Sequence, residues 1–284
     1  MLQDWRFWFL APMVLALGIV VLFPSGYLVW MSVTHWIVTD PSVYFDGVQN
    51  FTTLFKSASF AQAVQVTALY LVLSTILMLA LAFGLALALS GPGSPGFIRA
   101  IVVMPLVIPP VVAGFTWRFL MNGEMGFLGA FVLPNVGITT NMLANPTGAL
   151  ISIVIADVWS RTPFMFLIFL AALQAIPRDH YEAIRLDGAT ALQEFWLVTL
   201  PMMRSAVVIA LLFRVIDALN TFELIYVMTK GGPGRSTQTL SLLGWKTAFQ
   251  GFDFGGAAAL GVVMLVVTTI CASIVYRRFL RMPS

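Results

Sequence analysis

The chain has 284 residues, 60% hydrophobic and only 10% charged, with a mean hydropathy of +0.94. That balance excludes a soluble globular domain, whose apolar share is nearer half. A net charge of +3, one cysteine and two histidines far apart in sequence exclude a basic nucleic-acid face, an intrachain disulfide and a cysteine–histidine metal cluster.

A hydrocarbon core of roughly 30 Å takes about 20 apolar residues as helix. Six stretches meet that length, at 7–30, 63–89, 97–120, 147–172, 206–228 and 257–276. The expectation is an all-α polytopic membrane protein of six transmembrane helices, with 1–284 forming a single transmembrane domain. The first stretch is expected to be a retained helix. Its apolar run is longer than the core of a secretory signal, and no small-x-small cleavage site follows it. The third stretch holds Pro105, Pro109 and Pro110. Neighbouring helices must then satisfy the freed carbonyls, which fits a static kink or a segment lining a path.

Lysine and arginine collect on cytoplasmic loops. With the N-terminus inside, the inner segments hold Arg6, Arg99, Arg178, Arg185, Arg204, Arg277, Arg278 and Arg281. The outer side holds Lys56, Arg118, Lys230, Arg235 and Lys246. Both termini are therefore expected to be cytoplasmic. Trp5, Trp8, Trp30, Trp36 and Trp117 near span ends fit interfacial belts.

Charges at bilayer depth are costly and face a cavity or a partner. Span four carries Asp157 and Arg161 one helical turn apart, with Ser160 adjacent, Pro163 able to bend the helix and Phe164 a turn beyond Ser160. Span five carries Arg214 and Glu223, with Asp217, Asn220 and Thr221 on one expected stripe. Two readings stand side by side. Asp157–Arg161 or Arg214–Asp217 neutralise each other inside the bundle, or the two spans line a polar cavity with Phe164 as its aromatic face.

Between these spans lies a polar segment, 174–201. Proline at 177 suits a first helical turn, Arg178–Leu186 reads as a short helix, and Gly188 fits a left-handed stop. Leu192, Phe195, Trp196 and Thr199 then follow helical spacing, and Leu200-Pro201 is expected to end the segment. A helix resting on lipid headgroups is one reading. The acidic Glu182, Asp187 and Glu194 among arginines suit a protein socket better.

Glu182-Ala183-Ile184, Gly188 and Val198-Thr199-Leu200-Pro201 resemble the EAA loop of binding-protein-dependent ABC importer permeases, with Ile184 and Val198 standing where the family has Ala and Ile. Leu170-Ala171-Ala172-Leu173-Gln174-Ala175-Ile176-Pro177, Thr229-Lys230-Gly231-Gly232-Pro233, Asn50-Phe51 and Gly255-Gly256-Ala257-Ala258-Ala259 are similar to the maltose-type sugar permeases. Val66-Thr67 departs from that pattern, where Asn-Thr is common. The resemblance implies a type I ABC importer permease fold in the bacterial or archaeal cytoplasmic membrane. It implies that Tyr181, Glu182, Ala183, Ile184, Asp187 and Gly188 couple to a separate ATPase. The implied partners are a second permease in a heterodimer, two ATPase subunits, an extracytoplasmic solute-binding protein, membrane lipid and a carbohydrate-like substrate, with no nucleic acid.

In that family the substrate-lining positions fall on Asp157, Ser160, Arg161, Phe164, Asp217, Ala218 and Thr221, and Asn220 shares the stripe of Asp217 and Thr221. Relatives often carry amides or small residues at Asp157, Arg161 and Asp217, which implies a charged substrate or a different sugar. No Gly-x-x-x-x-Gly-Lys-Ser/Thr occurs, so the chain is not expected to hydrolyse ATP. It is expected to be no enzyme and to hold no metal or cofactor, with ATP and Mg bound on the partner subunits. The alternative is a proton-coupled secondary transporter using Asp157 or Asp217 as a relay. It lacks support from any inverted repeat. A membrane enzyme would need a metal cluster or nucleophile–base pair that the sequence does not offer.

Overall fold

The computed structural model describes residues 4–40, 42–91 and 93–279, with side chains described from residue 10 to residue 277. Pro92 and Arg281 lie outside the described residues, as do the side chains of Trp5, Arg6, Trp8 and Arg278.

Taken along the chain, α1 (Asp4–Leu17) passes through a π-helical turn (Gly18–Leu22) into α2 (Phe23–Ser32). A two-residue hairpin, β1 (Thr34–His35) with β2 (Tyr44–Phe45), leads to α3 (Gln49–Lys56) and the long α4 (Ala58–Leu89). Next come α5 (Gly96–Val103), a 3₁₀ turn (Met104–Val107), α6 (Pro110–Leu120), a π turn (Phe127–Val132), α7 (Leu133–Asn135) and α8 (Pro146–Gln174). The polar segment forms α9 (Arg178–Leu186), α10 (Ala191–Glu194), a π turn (Phe195–Thr199) and α11 (Leu200–Met202). The chain finishes with α12 (Arg204–Asn220), α13 (Glu223–Thr229), α14 (Leu240–Phe249) and α15 (Phe254–Phe279).

Each π turn ends two residues before a proline, at Pro24, Pro134 and Pro201. A proline ring removes one donor and crowds the carbonyl four residues back. A one-residue widening of the turn ahead of it relieves both. The helix therefore continues past Pro201 to Met202, rather than stopping at Leu200-Pro201 as the sequence suggested.

Among the described residues, four helices are long and apolar enough to cross a membrane: Leu10–Ser32, Ala58–Leu89, Pro146–Gln174 and Phe254–Arg277. Two bent pairs bring the number to six if each is one span. The expected third span is one of them, with Gly96–Val107 and Pro110–Leu120 meeting at 100°. Neither arm, at about 1.5 Å per residue, crosses a 30 Å core alone. The expected fifth span, 206–228, is also revised. α12 stops at Asn220, α13 begins at Glu223, and the other bend, 66°, lies before α12 between Ala191–Met202 and Arg204–Asn220. No glycine or proline marks the end of α12. The Asn220 amide donates to Ile216 O at 2.7 Å and the Thr221 hydroxyl to Asp217 O at 2.9 Å, so two side chains take up carbonyls of the last turn.

The chain divides into two compact units. In the first, Met1–Ala61 with Leu243–Val267, the hairpin is pinned by Asn50, whose amide donates to Ser32 O at 3.0 Å and Thr34 O at 2.9 Å. Asp253 caps α15 by accepting from Gly256 N at 2.7 Å. A Cβ at Gly255 would sit 2.4 Å from Thr34 O, so only glycine fits there.

In the second unit, Gln62–Leu242 with Thr268–Ser284, α8 packs against α5, α6, α12 and α13. Asn145 starts α8 by accepting from Thr147 N and Gly148 N, with Pro146 in the first turn. α8 then runs unbroken through Pro163. Arg99 caps the far end of α4, donating to Leu89 O from two nitrogens at 3.1 and 2.7 Å. Thr67, which follows the Val66 departure and keeps the pattern's threonine, is buried and accepts from Leu240 N at 2.9 Å, satisfying an open donor at the start of α14.

Candidate translocation site and coupling segment

Four charged residues in α8 and α12 form one connected network. Arg214 donates to Asp157 Oδ2 at 2.7 Å, with side chains only 2% and 0% exposed. Its other terminal nitrogen reaches Asp217 Oδ2 at 3.3 Å. Asp217 Oδ1 in turn meets Arg161 at 3.2 Å, both side chains being 34% exposed. From α4, the Ser74 hydroxyl also accepts from Arg214, and the guanidinium carbon lies 5.6 Å from the Tyr70 ring centroid. Burial of the first pair removes both charges from water, so each depends on the other. The network thus grades from a sealed pair to a half-open one.

The open end faces a cavity of about 220 Å³. Arg161, Phe164, Arg214 and Asp217 line it beside Met78, Leu106, Met165, Ala210 and Phe213. Phe164 and Phe213 meet edge to face, with centroids 5.5 Å apart and planes at 82°. Leu106 arrives from the broken 96–120 segment.

The sequence candidates divide accordingly. Arg161, Phe164 and Asp217 come together at the cavity, one turn of α8 facing α12. Asp157 is fully buried and committed to Arg214, while Ala218 is buried at 1% exposure. Ser160 donates to Ala156 O of its own helix at 2.8 Å. Asn220 and Thr221 turn back on α12 carbonyls, and Thr221 lies beyond the helix end, so the expected Asp217–Asn220–Thr221 stripe does not form. Neither expected local pairing describes the network by itself. Arg214–Asp217 is present, but Asp157 pairs with Arg214 and not with Arg161. Tyr70 and Ser74, which the sequence did not single out, complete the cluster around Arg214, which was expected only as a partner of Asp217. Only the cost of an unpaired intramembrane arginine pointed to Arg214. Among the described residues no group of three side chains able to hold a metal ion occurs.

The polar segment is a second built feature. α9 spans Arg178–Leu186, and Gly188 follows at φ +78°, a left-handed position that glycine takes without strain. Thr190 and Gln193 then form a capping box that starts α10. Arg185 clasps Glu194 through two N–H···O bonds of 2.6 and 3.0 Å, tying α9 to α10. That clasp holds the Glu194 carboxyl below its ordinary range and the Arg185 guanidinium above its own. Tyr181, half-buried, shares a 3.1 Å hydrogen bond with Thr199. Glu182, Ala183 and Asp187 are exposed, Ile184 is half-exposed, and Glu182 forms no ion pair among the described residues. Leu186, Leu192, Trp196 and Leu197 are also exposed, at 58% or more. A rigid two-helix knob thus presents an unpaired acid and apolar side chains together.

Residues 80–282 match the family described as the binding-protein-dependent transport system inner membrane component. The trehalose/maltose transport system permease protein MalF of Thermococcus litoralis is 35% identical over 268 residues, 93% of this chain and 90% of the relative. The trehalose transport system permease protein SugA of Mycobacterium tuberculosis is 33% identical over 278 residues, 96% of this chain and 88% of the relative. A chain of the solved bacterial ABC transporter involved in the import of the acidic polysaccharide alginate superimposes with a TM-score of 0.83 over 99% of this chain and 97% of that one, at 23% identity. That likeness shows a shared permease fold. The chain belongs to the inner membrane components of binding-protein-dependent transport systems.

Proposed function

We propose that this chain is one of two permease subunits of an ATP-driven importer that carries a carbohydrate into the cytoplasm. The observation that carries the reading is the knob at 178–202: a clasped, exposed pair of short helices with Glu182 unpaired, shaped for a partner. A separate ATPase docks there and drives the permease, with Tyr181, Glu182, Ala183, Ile184, Asp187 and Gly188 at or beneath the contact. Both termini face the cytoplasm beside that ATPase. A second permease completes the path, two ATPase subunits bind ATP and Mg, and an extracytoplasmic binding protein delivers the solute. The names of the relatives, for trehalose and maltose transport, support a sugar cargo. Arg161, Asp217 and Phe164 supply what a sugar requires, charged hydrogen-bonding groups beside an aromatic ring. The transported molecule is not chemically altered. A proton relay is disfavoured because both candidate carboxylates, Asp157 and Asp217, are already ion-paired.

Reconstitution tests this. The chain in liposomes with its co-encoded permease, ATPase and binding protein is expected to accumulate sugar only with ATP inside the ATPase compartment. The purified single chain is expected to show neither ATPase activity nor net uptake. Uptake by the single chain driven by a proton gradient would overturn the subunit reading.

A further inference from the structure

The cavity wall between α8 and α12 carries four full charges that sum to zero: Asp157 and Asp217 against Arg161 and Arg214. Two of them, Asp157 and Arg214, are sealed from solvent. Of the three that line the cavity, Arg161 and Asp217 are equally exposed at 34% and lie 3.2 Å apart, while Arg214, almost wholly buried, keeps its charge matched by Asp157 behind the wall. The remaining lining is apolar, with Met78, Leu106, Phe164 and Phe213 prominent.

We infer that this wall selects uncharged, hydroxyl-bearing solutes and rejects anionic sugars. The inference rests on the carbohydrate reading above and narrows its substrate class. An anion drawn towards Arg161 meets the Asp217 carboxylate at the same contact, and engaging Arg161 fully requires breaking the pair. A cation meets the mirror-image problem. A hydroxyl group avoids it, because it donates to Asp217 and accepts from Arg161 at once while the ion pair stays closed. The C–H face of a sugar ring rests on Phe164 or Phe213. Arg214 is a positioning residue here. By holding Asp217 Oδ2 it leaves Oδ1 turned to Arg161, so cancellation at the wall depends on a residue largely behind it.

The complete transporter, with its binding protein, tests this with one mixture of glucose, maltose, trehalose and raffinose beside glucuronate, digalacturonate and glucosamine, and ATP-dependent accumulation read by mass spectrometry. Wild type is expected to accumulate neutral sugars and exclude both uronates. Asp217→Asn is expected to raise the ratio of uronate to neutral uptake by about tenfold, because an unopposed arginine remains. Arg161→Gln is expected to shift selectivity the other way, towards glucosamine. These opposite shifts are something a merely structural role would not produce. Wild-type uptake of uronates alongside neutral sugars would leave the carbohydrate reading intact and overturn this one, as would variants that shift the ratio in the same direction. Assembled transporter that accumulates no sugar at all would remove both readings together. Complex yield is measured for each variant, and where a variant fails to assemble, wild-type selectivity decides.

Discussion

Arg214 and Asp157 meet at 2.7 Å across 57 residues of sequence, with side chains 2% and 0% exposed. Removing one member leaves the other charge buried and unpaired, a change that costs about 3–5 kcal/mol in proteins. Asp157→Ala is therefore expected to lower the yield of assembled complex after detergent extraction. Replacing both residues together, Asp157→Asn with Arg214→Met, is expected to recover much of it. Asp217→Ala removes a half-exposed partner and is expected to keep assembly while reducing uptake. Size-exclusion yield measured beside uptake separates the two effects, and equal losses of assembly for Asp157→Ala and Asp217→Ala would contradict the graded network.

Glu182 is exposed and unpaired on a knob held rigid by its neighbours. Glu182→Lys reverses an exposed charge that has no ion-pair partner among the described residues. It is expected to abolish uptake and substrate-stimulated ATP hydrolysis, with the protein still in the membrane. Normal stimulation in that variant would place the ATPase contact elsewhere.

Gly188 sits at φ +78°, and an added Cβ would meet nothing within 4 Å. The cost of a side chain is thus purely a backbone cost, about 1–2 kcal/mol for a β-branched residue in the left-handed region. Gly188→Val is expected to loosen the α9–α10 junction and weaken coupling, whereas Gly188→Asn is expected to be tolerated. ATPase stimulation per mole of assembled complex reads the difference.

The Arg185–Glu194 clasp carries a pH signature. Hydrogen bonds from Arg185 lower the Glu194 pKa below its ordinary value of 4.5. A depressed carboxylate contributes above its unfolded pKa and loses that contribution as pH falls through the folded one. Protection of α9 and α10 amides from hydrogen exchange is therefore expected to be flat from neutral pH down to about 5 and to fall below the lowered Glu194 value. Glu194→Gln is expected to remove that step, and an unchanged step would assign it to another group.

The length and charge pattern of this chain place it in a membrane, and the local chemistry of 177–188 sets out α9 with its glycine stop, because helix starts and stops are written in neighbouring residues. The 100° bend could not be read, since three prolines announce a disturbance but not its angle. The end of α12 carried no breaker at all; its last-turn carbonyls are taken up by Asn220 and Thr221, which read equally well as cavity residues. The charge network shows the limit most clearly. Helical spacing puts Asp157 near Arg161 on one face, but whether two such groups pair depends on what the facing helix offers. Arg214 reaches across from α12 to Asp157, and Arg161 reaches back to Asp217. Spacing along one helix is a local property, and partner choice between helices is decided only when α8 and α12 pack, because a buried charge takes whichever opposite charge the packing brings within hydrogen-bond reach.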